Sequence, residues 1–155
     1  MKKFTAILSV LSVCVFLSAC SRNARIIDIN TSIDKKNAYI IDINTPVEAT
    51  ADNAGVSIEQ AILNASSAIG WQAIKESEGN IKAVLRNRNH MVAVNIKYTE
   101  SGYSIAYADS VNLRYNPKQN SIHRNYNKWV VRLNKWILFY INGNDKKDLQ
   151  KTPKR

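Results

Sequence analysis

Cysteine and histidine are scarce in this 155-residue chain, and their scarcity excludes several kinds of protein. The only 2 cysteines, Cys14 and Cys20, both lie near the N-terminus. Because no thiol follows Cys20, the fold has no disulfide and must depend on its apolar core. The 2 histidines, His90 and His123, are far apart in the sequence, whereas a zinc site needs three or four ligands. The sequence therefore predicts neither a disulfide scaffold nor a metal site.

The N-terminal apolar run is too short for a transmembrane helix, which needs about 20 apolar residues. Lys2 and Lys3 precede an apolar stretch at residues 4–16, and small residues follow it. This order is typical of an export signal. Cleavage before Cys20 would place Leu17 where ordinary signal peptidase takes a small residue, so a different peptidase is indicated.

The segment Leu17-Ser18-Ala19-Cys20 resembles the lipobox of bacterial lipoproteins. The resemblance implies a signal peptide over residues 1–19, cleavage before Cys20, and fatty acyl chains such as palmitate on that cysteine. In this family an Asp after the cysteine tends to retain the protein in the inner membrane. Ser21 stands there instead, so the resemblance implies an outer-membrane lipoprotein that faces the periplasm.

Acidic residues are scarce in the second half of the chain. The net charge is +10, and about +8 once Lys2 and Lys3 are removed. Residues 20–79 contain 5 basic and 8 acidic residues, whereas residues 80–155 contain 15 basic and 4 acidic ones. A basic half on an exported protein favours anionic envelope surfaces such as lipid head groups as partners. Export argues against nucleic acid, the usual partner of a basic cytosolic protein.

A short segment is duplicated after the export signal. Residues 23–31 (NARIIDINT) and 37–45 (NAYIIDINT) match at eight of nine positions. Each copy contains a β-type run, at residues 26–29 and 40–43. We expect one copy to add a strand to the sheet and the other to act as a spacer, in a tether that spans residues 20–55. Two copies are too few for a solenoid.

The rest of the chain predicts two helices around four strands. Ser57 and Gln60 form a capping box, and apolar residues then recur at helical spacing over residues 58–69, until Gly70. Strand-like runs with short turns between them follow at residues 71–75, 81–86, 91–98 and 103–110. A second, long helix is predicted over residues 122–141.

This order, β-α-β-β-β-β-α, predicts an α+β two-layer sandwich. Four or five antiparallel strands form a meander, and both helices cover one face of it. The domain spans residues 56–142, followed by a disordered basic tail at residues 143–155. Six residues are predicted to be buried together: Trp71, Val94, Ile96, Val130, Leu133 and Ile137.

A dense polar cluster spans residues 109–115 (DSVNLRY) and 122–129 (IHRNYNKW). These segments resemble a group of small, uncharacterised lipoproteins of Gram-negative bacteria that share D-S-x-N-L-x-Y and I-H-x-x-Y-N-x-W. No activity follows from this resemblance. Asp109 and Ser110 point to opposite faces of a strand, which argues against a hydrolytic triad with His123. The cluster either bonds the loop backbone or forms a pocket for a small polar ligand from Asp109, Asn112, Tyr115, His123 and Asn127.

The second helix also has a basic side with no acidic residue. Four residues form this stripe: Arg124, Lys128, Arg132 and Lys135. It is either a solvated face or a contact for anionic head groups. On the sheet face away from the helices we expect Lys82, Arg86 and Lys97 together with Val84, Met91 and Ala93. Such a half-apolar face indicates a partner surface or a cover provided by the N-terminal repeat.

These observations predict a membrane-anchored, non-enzymatic envelope lipoprotein that binds another envelope component and uses no cofactor. The alternative is a periplasmic domain that binds a small ligand through the cluster around Asp109 and His123. A flat basic or apolar patch favours the first function. A ligand-sized pocket lined by the cluster favours the second.

Overall fold

The computed structural model describes residues 36–48, 50, 53 and 55–144. The predicted signal peptide, the first copy of the duplicated segment and residues 145–155 lie outside this part of the chain. The elements follow in the order β1 (Asn37–Tyr39), β2 (Ile43–Pro46), α1 (Ile58–Ala68), β3 (Trp71–Ser77), β4 (Asn80–Asn87), β5 (His90–Thr99), β6 (Gly102–Val111), β7 (Ser121–His123) and α2 (Asn125–Ile141).

The main sheet has five antiparallel strands in the order β2-β6-β5-β4-β3. Short turns join β3 to β6 into a meander, as the spacing of the strand-like runs predicts. Strands β1 and β7 form a separate antiparallel pair. The predicted α+β architecture is therefore confirmed, with the fifth strand supplied from the N-terminal side.

The hydrophobic core lies between one face of the five-stranded sheet and the two helices. Alternate residues of the strands, such as Ile81, Val94 and Ile105, are fully buried in one cluster with α1 and α2. This is the pattern expected when one sheet face is covered. The six residues predicted to be buried together all belong to this cluster.

Helix α1 begins as the capping box predicts. The Ser57 hydroxyl accepts a hydrogen bond from the Gln60 backbone N–H at 3.4 Å, which satisfies one of the free N–H groups at the helix start. Its buried residues, including Ala61, Ile62 and Ala65, repeat at helical spacing. The helix ends at Ala68, one residue before the predicted end.

Helix α2 begins at Asn125, so the prediction that it starts at Ile122 is wrong. Residues Ser121–His123 instead form β7, where Ile122 is buried opposite Ala38 of β1. Ile122 is in phase with the apolar stripe of the helix, so spacing alone could not separate the two structures. The partner strand that makes β7 a strand comes from far earlier in the sequence.

The prediction of one strand at residues 40–43 is also wrong. The second copy forms two short strands, because its first part, β1, pairs with β7 and its second part, β2, pairs with the edge strand β6. At this corner the Ile40 N–H donates to the Asn120 carbonyl at 2.9 Å. Both strands lie before residue 56, within the segment predicted to be a tether.

Candidate functional site

The exposed side of α2 carries an unbroken row of positive charge. Arg124, Lys128, Arg132 and Lys135 are all exposed, because the opposite side of the helix is buried through Val130, Leu133 and Ile137. Helix α2 contains no acidic residue. Arg124 lies directly before the first residue of α2, and the other three residues lie within the helix. Within the described part of the chain, the ion pairs are made by Lys75 and Lys82 with glutamates, and none involves these four residues. We call these four residues the basic row.

Aromatic side chains border the basic row. Phe139 follows Lys135 by four residues and therefore lies on the same side of α2. Its ring packs against Trp136 at 5.6 Å and against Tyr140 at 5.6 Å between ring centroids, and all three side chains are partly exposed. Basic residues beside partly exposed aromatic ones suit the boundary between head groups and acyl chains.

A small groove extends the basic surface from α2 towards the end of β4. Arg132 and Arg86 both line this cavity of about 240 Å³, and Trp129 and Leu85 provide apolar surface beside them. Guanidinium groups bind phosphate oxygens through paired hydrogen bonds, more tightly than ammonium groups do. The groove therefore has the chemistry to take one phosphate with an apolar neighbour.

Positive charge also surrounds His123, just before α2. The His123 ring stacks on that of His90, with 6.3 Å between centroids. Burial lowers the pKa of His123 below its ordinary value, and the nearby His90, Arg114, Arg124 and Lys36 lower it further. Because the folded state takes up this proton less readily than the unfolded state, His123 reduces stability as the pH falls below about 6.5. Arg114, Arg124 and Lys36 thus place positive charge near His123 at this end of the domain.

The residues of the predicted polar cluster mostly bond neighbouring backbone. The Asp109 carboxylate accepts from the Ser110 N–H at 2.7 Å. The Asn112 amide donates to the Asn89 carbonyl at 2.7 Å, and the Asn112 carbonyl lies 3.0 Å from Nδ1 of His90. The two contacts of Asn112 connect the loop after β6 to the turn between β4 and β5.

The other three members of the cluster have similar structural contacts. Tyr115 packs on the ring of Tyr107, with 4.5 Å between centroids. Nδ1 of His123 accepts from the Asn125 N–H at 3.2 Å. Asn127, only 2% exposed, donates through Nδ2 to the Tyr39 carbonyl at 2.8 Å. Three cavities in the described part of the chain, of about 590, 420 and 240 Å³, are lined by residues other than these five.

Asp109 and Ser110 lie on opposite faces of β6, as strand alternation predicts. Asp109 is opposite Ala93 on the open face of the sheet, whereas Ser110 is opposite Val92 of the core face. The Ser110 hydroxyl lies 3.0 Å from that of Tyr107. The structure thus separates the two residues that a hydrolytic triad would have to bring to one imidazole.

The open sheet face carries the mixture of residues that alternation predicts. Val84 is opposite Ala93, and Arg86 is opposite Met91. Lys82 and Lys97 lie on this face by the same alternation, since Ile81 and Ile96 between them point into the core. Two further apolar residues of this face were missed by the sequence analysis: Ile74, 68% exposed, and Val111. Ile74 is three residues after the buried Trp71, an odd spacing that places it on the opposite face of β3; Val111 is opposite Met91, which the sequence already placed on this face.

A polar contact between α1 and the sheet was not predicted from the sequence. The Tyr98 hydroxyl donates to the Glu59 carboxylate, and Nζ of Lys75 lies 2.9 Å from the same group. The hydrogen bond from Tyr98, and then Lys75, lower the pKa of Glu59. Lys75 lies on the same face of β3 as Trp71, the face covered by the helices. This alternation is the sequence feature that could have predicted a charged group beneath α1.

No family model, curated protein or solved structure matches this chain. Among the described residues, no helix is long and apolar enough to cross a membrane. The same part of the chain contains no group of three or more His, Cys, Asp or Glu side chains placed to hold a metal ion. The basic row, its aromatic border and the arginine groove therefore form the candidate site.

Proposed function

We propose that this protein is a non-enzymatic envelope lipoprotein, anchored through Cys20, whose α2 surface binds phosphate-bearing head groups of an anionic membrane. The observation that carries the proposal is the basic row: four exposed cations without an acidic neighbour on the helix or an ion pair in the described residues. Trp136 and Phe139 beside it supply the apolar contact that such an interface uses. The groove between Arg86 and Arg132 takes one head-group phosphate.

The energies involved are small for each residue but sufficient for an anchored domain. A basic residue near an anionic surface contributes about 1 kcal/mol. Two or more acyl chains on Cys20 provide stable anchoring, since each buried methylene contributes about 0.8 kcal/mol. The anchor raises the effective concentration of head groups near the domain. The basic row therefore orients the domain on the membrane rather than recruiting it.

The anchor is tested by Cys20→Ser. We expect the variant to lose labelling by radioactive palmitate and to lose cleavage before residue 20, because the thiol is the acceptor in lipoproteins. Because the uncleaved variant keeps the apolar run at residues 4–16, its membrane retention does not report on the lipid anchor. Palmitate labelling, or cleavage before residue 20, at the wild-type level in the Cys20→Ser protein would contradict the anchor.

The basic row is tested by reversing Lys128 and Lys135 to Glu in the unlipidated mature chain, residues 20–155 with Cys20→Ser. Loss of two attractive contacts weakens binding by about 2 kcal/mol or more, roughly thirtyfold in partitioning to anionic vesicles. Co-sedimentation at low and high salt measures the change, and raised salt should weaken wild-type binding as well. Exposed substitutions usually change stability by less than about 0.5 kcal/mol, so the fold should be unaffected.

The matched control reverses Lys82 and Lys97, which are exposed on the open sheet face. This variant has the same net charge as the α2 variant but keeps the basic row. We expect it to bind anionic vesicles nearly as well as the wild type. If both double variants lose binding equally, net charge alone is responsible; if the wild type does not sediment at low salt, α2 is not a lipid contact.

A further inference from the structure

The second copy of the duplicated segment fills a defined groove. We call this groove, formed by β6, β7 and the start of α2, the strand slot. Ala38 and Ile43 are inserted in it, 1% and 2% exposed. Backbone hydrogen bonds hold both ends of the bound segment. The Arg124 N–H donates to the Lys36 carbonyl and the Val47 N–H donates to the Ser101 carbonyl, each at 2.9 Å.

The first copy carries almost every feature that the slot contacts. The residues equivalent to Ala38 and Ile43, fourteen positions earlier, are Ala24 and Ile29. The single mismatch in nine residues places Arg25 at the position of Tyr39. Tyr39 is 48% exposed, and what it offers to Asn127 is its backbone carbonyl. The one residue that differs between the copies therefore lies at a position where the slot contacts the backbone and not the side chain.

The similarity continues past the end of β2. Val47, which packs against the core, corresponds to Ile33, and Glu48 corresponds to Asp34. Ser32 stands in place of Pro46, which is exposed and opposite Gly102 at the end of the pairing. An apolar residue is thus available in both copies at the position that closes the slot.

We propose that the strand slot is a binding site for either copy, so that residues 23–33 of the same chain can replace residues 37–47. The exchange moves the chain by fourteen residues through the slot. It leaves α1, α2 and the four strands from β3 to β6 unchanged. The two copies compete for the same backbone hydrogen bonds, so only one of them is bound at a time.

The connector to α1 decides which copy is preferred. About 10 residues separate the slot from α1 when the second copy is bound, and about 24 when the first copy is bound. Loop closure scales as about the three-halves power of length, so the longer loop disfavours the first copy roughly fourfold. The first copy should therefore occupy the slot in about a fifth of the molecules.

The exchange also changes the reach of the anchor, a consequence that rests on the proposed function. With the second copy bound, residues 21–36 separate Cys20 from the slot; with the first copy bound, only Ser21 and Arg22 remain. At about 3.5 Å per extended residue, the maximum reach falls from about 55 Å to about 7 Å. Two distances from the membrane would then be available to one domain.

Cysteine pairs can measure the exchange in the full-length chain, purified in detergent with Cys14→Ser and Cys20→Ser. Asn44 is directly opposite Ser104 in the β2–β6 pair, and Asn30 is its equivalent in the first copy. Opposed antiparallel residues have Cα atoms about 4.5–5.5 Å apart, which suits a disulfide. A variant with Asn30→Cys, Asn44→Cys and Ser104→Cys is equilibrated in glutathione, and mass spectrometry of its peptides counts the two links to position 104.

We expect both links within single chains, with the 30–104 link near a fifth of the total. The control carries Asp28→Cys in place of Asn30→Cys. A cysteine at position 28 is separated from position 104 by nearly the same length of chain but is not opposite it in the strand register. Its link should form several-fold less often. A 30–104 link no more frequent than the 28–104 link would overturn the proposal. Links found only between two chains would also overturn it, because the slot would then be filled by the segment of another protein molecule.

Stability measurements give an independent test. Ile43→Asp removes the second copy from the slot, and the first copy should then take its place, so the denaturation midpoint shifts only modestly. Ile29→Asp alone should have no effect. Together the two substitutions should shift the midpoint by clearly more than the sum of the separate shifts. Equal midpoints for Ile43→Asp and the double variant would overturn the proposal. No membrane is present, so failure here is distinguishable from failure of vesicle binding.

Discussion

Leu133→Ala is expected to destabilise the protein by about 2–5 kcal/mol. Leu133 is fully buried in the middle of α2, with Val130 and Ile137 on the same buried side. The substitution removes buried methyl groups and leaves a cavity that the surrounding sheet and helix cannot fill completely. Urea unfolding followed by circular dichroism measures the change, and the slope of the transition should remain constant.

Leu138→Ala is the matched control for this prediction. It is the same substitution on the same helix, so the change in helix propensity is equal. Leu138 is only partly buried, and we expect its loss to cost less than about 1 kcal/mol. If Leu133→Ala cost no more than Leu138→Ala, the core between α2 and the sheet would be misassigned.

Gly102→Ala is expected to destabilise the protein by about 2–4 kcal/mol and to detach β2 from the sheet. A Cβ atom at position 102 would lie 2.6 Å from the Thr45 carbonyl oxygen and 3.2 Å from Cα of Pro46. Both are backbone atoms of β2 and cannot rotate away. The strand must therefore shift, and the hydrogen bond from the Val47 N–H to Ser101 is lost with it.

Hydrogen exchange and urea unfolding together measure this effect. The amides of β2 should lose protection, whereas those of β4 and β5 should keep theirs. Gly70→Ala is the control: Gly70 has a φ of +84°, but a Cβ there would have no neighbour within 4 Å. It should cost only the backbone strain, about 1–2 kcal/mol. A smaller loss for Gly102→Ala than for Gly70→Ala would contradict the close contact with β2.

The elements that the sequence predicts well are those defined by local patterns. The capping box at Ser57, the alternation in β4 and β5 and the apolar stripe of α2 each reflect which face of one element is buried. The wrong boundaries, at Ile122 and at residues 40–43, have a different origin. Both segments take their structure by pairing with strands that are distant in the sequence, and the local spacing of apolar residues does not show which strand is the partner.

The candidate site divides in the same way. The basic row could be predicted because charge and helical spacing are both visible in the sequence. The groove between Arg86 and Arg132 could not, because its two sides come from β4 and α2. The contact of Glu59 with Tyr98 joins residues that lie 39 positions apart, and only the packing of α1 on the sheet brings them together.

The duplicated segment has a consequence for how the gene can change. Its unit is fourteen residues, a whole number of codons, and the unit nearest the domain is the one that supplies β1 and β2. Replication slippage that adds or deletes a unit keeps the reading frame and always leaves an equivalent unit beside the connector to α1. Alleles with different numbers of units should therefore fold alike and differ mainly in the length of chain before the domain.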